Sequence, residues 1–440
     1  MCLDGFMYTK KRESNVAIQW RCVQRNAVVP CHAVLHTNLN LENPRLIRNH
    51  FHQAAQEKVD VTKARVQMKV RARSSLDKPN QIYVNMNSTM SDAAKATLST
   101  PETIRRDLRR TRAAHRPGEP QSLRDLQIRG PWSRTLGDNP EAFILYDNGV
   151  DSNERIIIFA KNGHVRKLAE CDKWCMDGNF AVAPRLFMQL YVILGRVAQS
   201  FVPLVYVLLE RKSQATYEEM FRVLAGLNCF PRIAIIDFEI SVQLAAAAVF
   251  GLGFEVQYCF YHLTNSTYGH VQTLGLVPLY RDDEEFRLFV GQLDALAFLP
   301  PHEVKDGMAH LRTIMPAQAD PLVQYFDETY VNGRVQRVPG PPGQVGFRYR
   351  RLPPLFSIDK WNMHQITLDN EPRTNNNAEG WNNRFSNLVG ADHPGVFKLV
   401  EVLQAECARV ETVILQVGRF CSKSKFYHSF IFSLDENCVF

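Results

Sequence analysis

From about Asp151 to Phe260 the chain is written in short apolar or alternating runs of strand length. Arg155–Ala160 (RIIIFA), Lys173–Phe180 (KWCMDGNF), Leu186–Leu194 and Val202–Leu209 follow one another at meander spacing and predict successive strands. A helix opens at Ser213 and ends near Gly226. Pro231–Asp237 (PRIAIID) is a continuous apolar run, as expected of a central strand covered on both faces. Ser241–Phe250 predicts an alanine-rich helix stopped by Gly251 and Gly253, and Glu255–Phe260 predicts another strand. The order strand-strand-strand-helix-strand-helix-strand predicts an α/β fold, a mixed sheet with helices packed on it.

Flanking text is different. Residues 276–355 read as a helical insertion, with helices over Asp282–Phe298, Pro301–Ile314 and Pro321–Tyr330 before a Pro/Gly/Arg-rich loop at Gly340–Pro354. A polar stretch, Arg373 to Arg384, leads into a helix, and a last amphipathic helix runs from about Gly395 to Gly418. Residues 1–55 read as short strands and turns, and the polar, mixed residues 56–98 as a connector. Thr100-Pro101-Glu102 is a helix start: a capping hydroxyl, proline in the first turn, an acid at the positive dipole end. Pro117-Gly118 closes that helix, and Ser122 with Asp125 predicts a second short one stopping at Gly130.

Composition is ordinarily globular, at 45% hydrophobic and 22% charged. The net charge of +7 is unevenly spread: nine arginines lie between Arg105 and Arg134 against Asp107, Glu119 and Asp125. Such a block, led by Arg105, Arg106, Arg109, Arg110 and Arg112, suits a polyanion such as DNA. The first residues lack the apolar core of a secretory signal, and the longest apolar stretch, Phe201–Leu209, is far short of the ~20 residues that cross a bilayer. No membrane association is expected, and in a reducing compartment ten cysteines are core residues or metal ligands.

Two groups have the makings of metal sites. Cys22, Cys31, His50 and His52 lie in order within the first 52 residues; two thiolates and two imidazoles suffice for tetrahedral Zn²⁺, with His32 and His36 as competing ligands. A module this small needs such a staple. In the core, Asp237 ends the most hydrophobic strand, where a carboxylate is costly unless it is exposed, paired or metal-bound. Asp177 falls within a strand between Trp174 and Phe180. Carboxylates on neighbouring strands can clamp Mg²⁺ or Mn²⁺ for phosphodiester chemistry. Asp172, Glu239 and Asp369 are further acids that could support them. Cys259 and His262, at Cys-x-x-His spacing, are an auxiliary pair with too few ligands for a zinc site, to which Cys171 or Cys175 would have to be added.

The segment from about Lys173 to Glu406 resembles the Mutator-like element transposases. Asp177-Gly-Asn-Phe180 is similar to the family's Asp-Gly-Thr-Phe strand, with Asn179 in place of threonine. Asp237-Phe-Glu239 is similar to its second acid, Cys259-Phe-Tyr-His262 to its Cys-x-x-His signature, and Arg373 to Asn382 to the segment bearing its third acid, Glu379. The resemblance implies an RNase H-like core, a catalytic Asp177-Asp237-Glu379 trio binding Mg²⁺ or Mn²⁺, metal-dependent cleavage and transfer of double-stranded DNA, self-association on DNA ends, and a nuclear location. The N-terminal Cys…Cys…His-x-His pattern behind Phe6, Tyr8 and Trp20 resembles the FLYWCH zinc finger. The expected organisation is a finger over 1–55, a connector over 56–98, a basic helical DNA-binding segment over 99–150, core over 151–275 and 356–425 split by the insertion at 276–355, and a tail over 426–440. The competing expectation is a domesticated DNA-binding regulator that keeps the fold without transposition.

Overall fold

The computed structural model describes residues 1–421 apart from 199, 252, 340–346, 372 and 375. The expected 426–440 tail lies outside the described residues. The chain divides into two units, Met1–Gly118 and Glu119–Phe440.

The first unit begins with a β-rich module. Its strands β1 (Cys2–Leu3), β2 (Phe6–Glu13), β3 (Ile18–Cys22), β4 (Val34–Thr37) and β5 (Arg45–Arg48) form one antiparallel sheet in chain order. Tyr8, Ile18, Trp20 and Leu35 make its small apolar core. Residues 56–98 are not a connector. They form helices at Gln56–Ser74, Pro79–Asn87 and Asp92–Thr97, which share a core with the Pro101–Ala113 helix through Ala64, Met68, Ala72, Ile82, Ile104 and Leu108. The polar text concealed them because one narrow apolar stripe suffices when helices pack only on each other. The Pro101 helix starts as its sequence predicts, with Thr100 Oγ1 accepting from the Thr103 amide at 3.4 Å. The second short helix expected over 122–130 is absent; Ser122 Oγ instead bonds Asp125 at 2.7 Å within a turn. The basic segment expected over 99–150 is thus divided between the two units.

The second unit is built on a mixed seven-stranded sheet. In chain order its strands are β6 (Ile144–Asp147), β7 (Ile156–Phe159), β8 (Lys173–Asn179), β9 (Gln189–Val197), β10 (Ser200–Leu209), β11 (Ile233–Ile236) and β12 (Glu255–Tyr258). In space they lie β12-β11-β8-β9-β10-β7-β6. β8, β9, β10, β7 and β6 pair antiparallel; β11 runs parallel to β8, and β12 parallel to β11. β7 and β10 are buried along nearly their whole length, which explains why they read as continuous apolar runs rather than alternating ones. The helices Gln214–Gly226 and Ile240–Phe250 supply the crossovers that parallel pairing requires.

The insertion is helical as expected, through Glu284–Ala295, Val304–Ile314 and Asp320–Phe326. The stretch read as a Pro/Gly/Arg loop, Gly340–Pro354, instead contains a strand: β14 (Phe347–Arg351) pairs antiparallel with β13 (Val335–Pro339), and residues 340–346 lie outside the described residues. Helices Asn376–Val389 and Val396–Cys421 complete the unit. No helix among the described residues is long and apolar enough to cross a membrane.

Candidate metal centres

In the β-rich module, β3 delivers Cys22, the following loop delivers buried Cys31, and the segment after β5 delivers His50 and His52. Their ligand atoms all lie within 4.8 Å of one another. Cys22 Sγ is 3.3 Å from His52 Nε2, Cys31 Sγ is 3.4 Å from His50 Nδ1, and the two imidazole nitrogens are 3.1 Å apart. A tetrahedral zinc with ordinary bond lengths sets its S···N edges at about 3.5 Å and its N···N edges at about 3.3 Å, so the donor set fits that ion.

The outer atoms of both imidazoles are also fixed. His50 Nε2 meets Tyr8 OH at 2.8 Å and its ring stacks on Phe6 at 3.8 Å, while His52 Nδ1 meets the Gln53 carbonyl at 3.0 Å. Such outer contacts set tautomer and orientation in zinc sites. Burial lowers the pKa of His50, keeping the ring in the neutral form a metal ligand needs. His32 is exposed and His36 lies within β4, and neither is in the cluster.

The unit division also sorts the charge. Residues 1–118 hold 21 Lys and Arg against 9 Asp and Glu, a net of +12, whereas residues 119–440 hold 31 against 36. Of the arginines proposed for DNA, Arg106, Arg109 and Arg110 are exposed on the Pro101 helix. Arg105 pairs with Glu102 and reaches Asn80. Arg112 is structural: its guanidinium donates to the carbonyls of Ala72, Ser75 and Asp77 at 2.6–2.8 Å. A run of like residues gives no hint of this; only the position of the neighbouring helix end does.

In the second unit, sheet register does the gathering. Ile235 is level with Cys175, so two residues further on Asp237 comes alongside Asp177. β8, β11 and β12 run parallel, and their carboxyl ends therefore bring Asp177, Asp237, Cys259 and His262 to one edge. Glu379 arrives from the first turn of the Asn376–Val389 helix. His262 Nδ1 lies 3.0 Å from Asp237 Oδ1 and 3.9 Å from Glu379 Oε1. All three atoms are buried, and none has a partner in hydrogen-bonding geometry among the described residues. Cys259 Sγ, His262 and Glu379 lie within 4.8 Å of one another.

Electrostatics describe a site short of positive charge. Burial, and after it Asp237, raise the Asp177 carboxyl to about 7. Burial opposes protonation of His262, but Asp237 and Cys259 outweigh it and carry the imidazole up to about 11. Burial raises Glu379 as well. Carboxylates crowded around one protonated ring leave a surplus of negative charge that a cation would offset.

Several supporting residues were not legible in the sequence. Asn382, one turn beyond Glu379, donates to Asp177 Oδ2 at 2.6 Å and accepts from Asn179 at 3.1 Å, docking the Glu379 helix on β8. Asn179 also donates to Ser386 Oγ at 3.1 Å. Glu239 accepts from Tyr217 OH at 2.8 Å and pairs with Lys212 at 3.0 Å, and it lines a cavity of about 30 Å³ together with Asp177 and Asp237. Asp172 faces Arg232 before β8 begins, and Asp369 bonds Gln365; neither reaches the site. Cys175, buried beside Asp177 and Cys259, is close by, whereas Cys171 donates to the carbonyls of Lys167 and Arg196.

No curated protein matches the chain. Within it, residues 1–52, which carry all four Cys and His ligands of the first centre, match the FLYWCH zinc finger domain.

Proposed function

We propose that this protein is a DNA transposase of the Mutator-like type, in which Asp177, Asp237 and Glu379 hold Mg²⁺ or Mn²⁺ and the zinc finger with the basic helices engages double-stranded DNA. The observation that carries the reading is convergence. Acids 60 and 142 residues apart in the chain meet at one sheet edge, with Asp237 Oδ1 and Glu379 Oε1 buried and unsatisfied around His262. A three-strand antiparallel meander extended by two parallel strands, in the order β10-β9-β8-β11-β12, supports an RNase H-like core. The finger match and the +12 balance of residues 1–118 support DNA as the partner.

When bound, a divalent ion would offset charge developing on the attacked phosphate and lower the pKa of a water or 3′-hydroxyl nucleophile. The chain's own part is positional. Asn382 holds one Asp177 oxygen, leaving the carboxylate turned toward Asp237. Glu239, held by Tyr217 and Lys212, closes the cavity wall behind the acids. His262 shares the buried space between Asp237 and Glu379 and offsets their repulsion. Two DNA ends have to be joined, so the reading includes self-association on DNA, and it places the protein in the nucleus.

The test is Mn²⁺-dependent nicking of duplex DNA by the full-length protein. Asp237→Ala abolishes nicking and leaves DNA binding within about twofold of wild type. Nicking that persists in the variant sinks the assignment.

A further inference from the structure

The Glu119–Phe440 unit is acidic overall, yet one part of it is strongly basic. Between Glu328 and Asp359 there is no acidic residue, while Arg334, Arg337, Arg348, Arg350 and Arg351 all fall there. These five flank or form the β13–β14 hairpin, and all are exposed. Among the described residues none of the five takes part in an ion pair.

The hairpin also carries aromatic surface that no core uses. Phe347 is 62% and Tyr349 75% exposed. The register pairs Arg337 with Tyr349 and Val335 with Arg351, so these four share one face with Phe347, two residues before Tyr349, and Arg348 and Arg350 take the other. The Arg337 guanidinium lies 3.6 Å from the Phe347 ring centroid. Both faces are therefore cationic, and one adds flat apolar surface. A free-standing ribbon exposed on both faces gains little from packing, so its composition answers to a partner.

Its base is the opposite. Gly333, with φ of 73° and a Cβ position only 2.5 Å from the Pro353 carbonyl carbon, lets the two ends of the arm close. Trp361 Nε1 donates to both sides of that base, to the Tyr330 carbonyl at 3.1 Å and the Phe356 carbonyl at 3.3 Å. Tyr330 and Phe356 then pack against Phe238, at 5.5 and 4.8 Å between ring centroids, and Phe238 follows Asp237 in sequence. A rigid aromatic cluster thus ties the root of a basic arm to the strand end that bears the central acid.

We propose that the β13–β14 hairpin is a duplex-DNA arm of the acid site, in which Arg337, Arg348, Arg350 and Arg351 contact phosphates and Phe347 and Tyr349 lie against the sugar–base surface. A two-stranded ribbon is of a size the major groove admits. Root anchoring beside Asp237 makes the arm a positioning element for the strand to be cut, and to that extent the inference rests on the proposed transposase activity.

The experiment measures duplex binding by the full-length protein across a salt series. Each phosphate contact contributes about 0.9 to the slope of log affinity against log salt. Replacing Arg337, Arg348, Arg350 and Arg351 together with alanine lowers that slope by about 2–4, while the corresponding four-lysine variant retains it, because phosphate accepts a point charge from either side chain. A slope unchanged in the alanine variant overturns the arm, as does a slope lost equally in the lysine variant, since that would indicate a structural role. Wild type that binds with the arm-dependent slope yet never nicks DNA sinks the transposase reading and leaves the arm standing as a binding element.

Discussion

Replacing Glu406 with alanine tests how the third acid is held. Glu406 lies in the Val396–Cys421 helix and is 1% exposed. It accepts from Trp381 Nε1 at 2.9 Å, from Arg409 at 3.0 and 3.1 Å, and from Arg384. Trp381 and Arg384 belong to the helix that carries Glu379, and Trp381 stacks on Phe385 at 4.6 Å and leans on Tyr206 of β10. One buried carboxylate therefore fixes that helix against its neighbour and the sheet.

Breaking a buried ion pair costs about 3–5 kcal/mol when a charge is left stranded. Here the arginine side chains are 37% and 46% exposed, so both can rehydrate and account for only about 1 kcal/mol together. Orphaning the Trp381 N–H adds about 1–3 kcal/mol. The expected loss is about 2–4 kcal/mol, or roughly 3–6 °C in the melting of the larger unit. Differential scanning calorimetry of the full-length protein measures it.

A pH dependence follows. Burial pushes Glu406 upward, but Arg409 and Arg384 outweigh it and hold the carboxyl below its ordinary range. A depressed carboxylate contributes stability above the unfolded-chain value of about 4.3 and loses it as pH falls through the lower native value. The melting gap between wild type and variant should be constant from pH 6 to 7 and narrow below about pH 4. A gap under 2 °C at neutral pH, or one undiminished at pH 3, would refute the reasoning.

Other outcomes are expected. Cys31→Ala should lower zinc content by one ion per chain and remove amide-exchange protection from β2–β4 while that of β8–β11 persists; retained zinc would discredit the ligand set. Arg112→Ala should destabilise the first unit by about 1–3 kcal/mol, since three carbonyls lose their donor, whereas Arg109→Ala should leave melting unchanged and weaken DNA binding. Equal effects of the two substitutions would contradict the division of roles. Gly195→Ala should cost about 1–3 kcal/mol, because its Cβ would lie 2.7 Å from Leu204 Cδ1 and 2.8 Å from Cys171 Sγ; an unchanged melting temperature would show that the β9–β10 layer has slack.

The sequence by itself determined six of the seven strands of the large sheet and the ligands of the finger; β6 (Ile144–Asp147) fell in the segment read as basic and helical. Apolar runs at Ile156–Phe159 and Ile233–Ile236 could be satisfied only by burial on both faces, and two thiolates with a His-x-His pair are a complete zinc set. Asp237 was legible as well, because a carboxylate at the end of such a strand needs a reason. Tertiary structure alone decided the rest. It turned the supposed connector into helices, withdrew Arg112 from the DNA-facing set, folded Asn382 and His262 around the acids, and joined Glu406 to the helix that carries Glu379. The reason is physical: burial of apolar side chains is periodic and can be read locally, whereas a polar side chain takes its role from a partner brought to it by sheet register and helix packing. Glu379 shows the difference most plainly. Resemblance apart, no physical feature of its neighbours in sequence singles it out, and its place beside His262 exists only once helix and sheet have met.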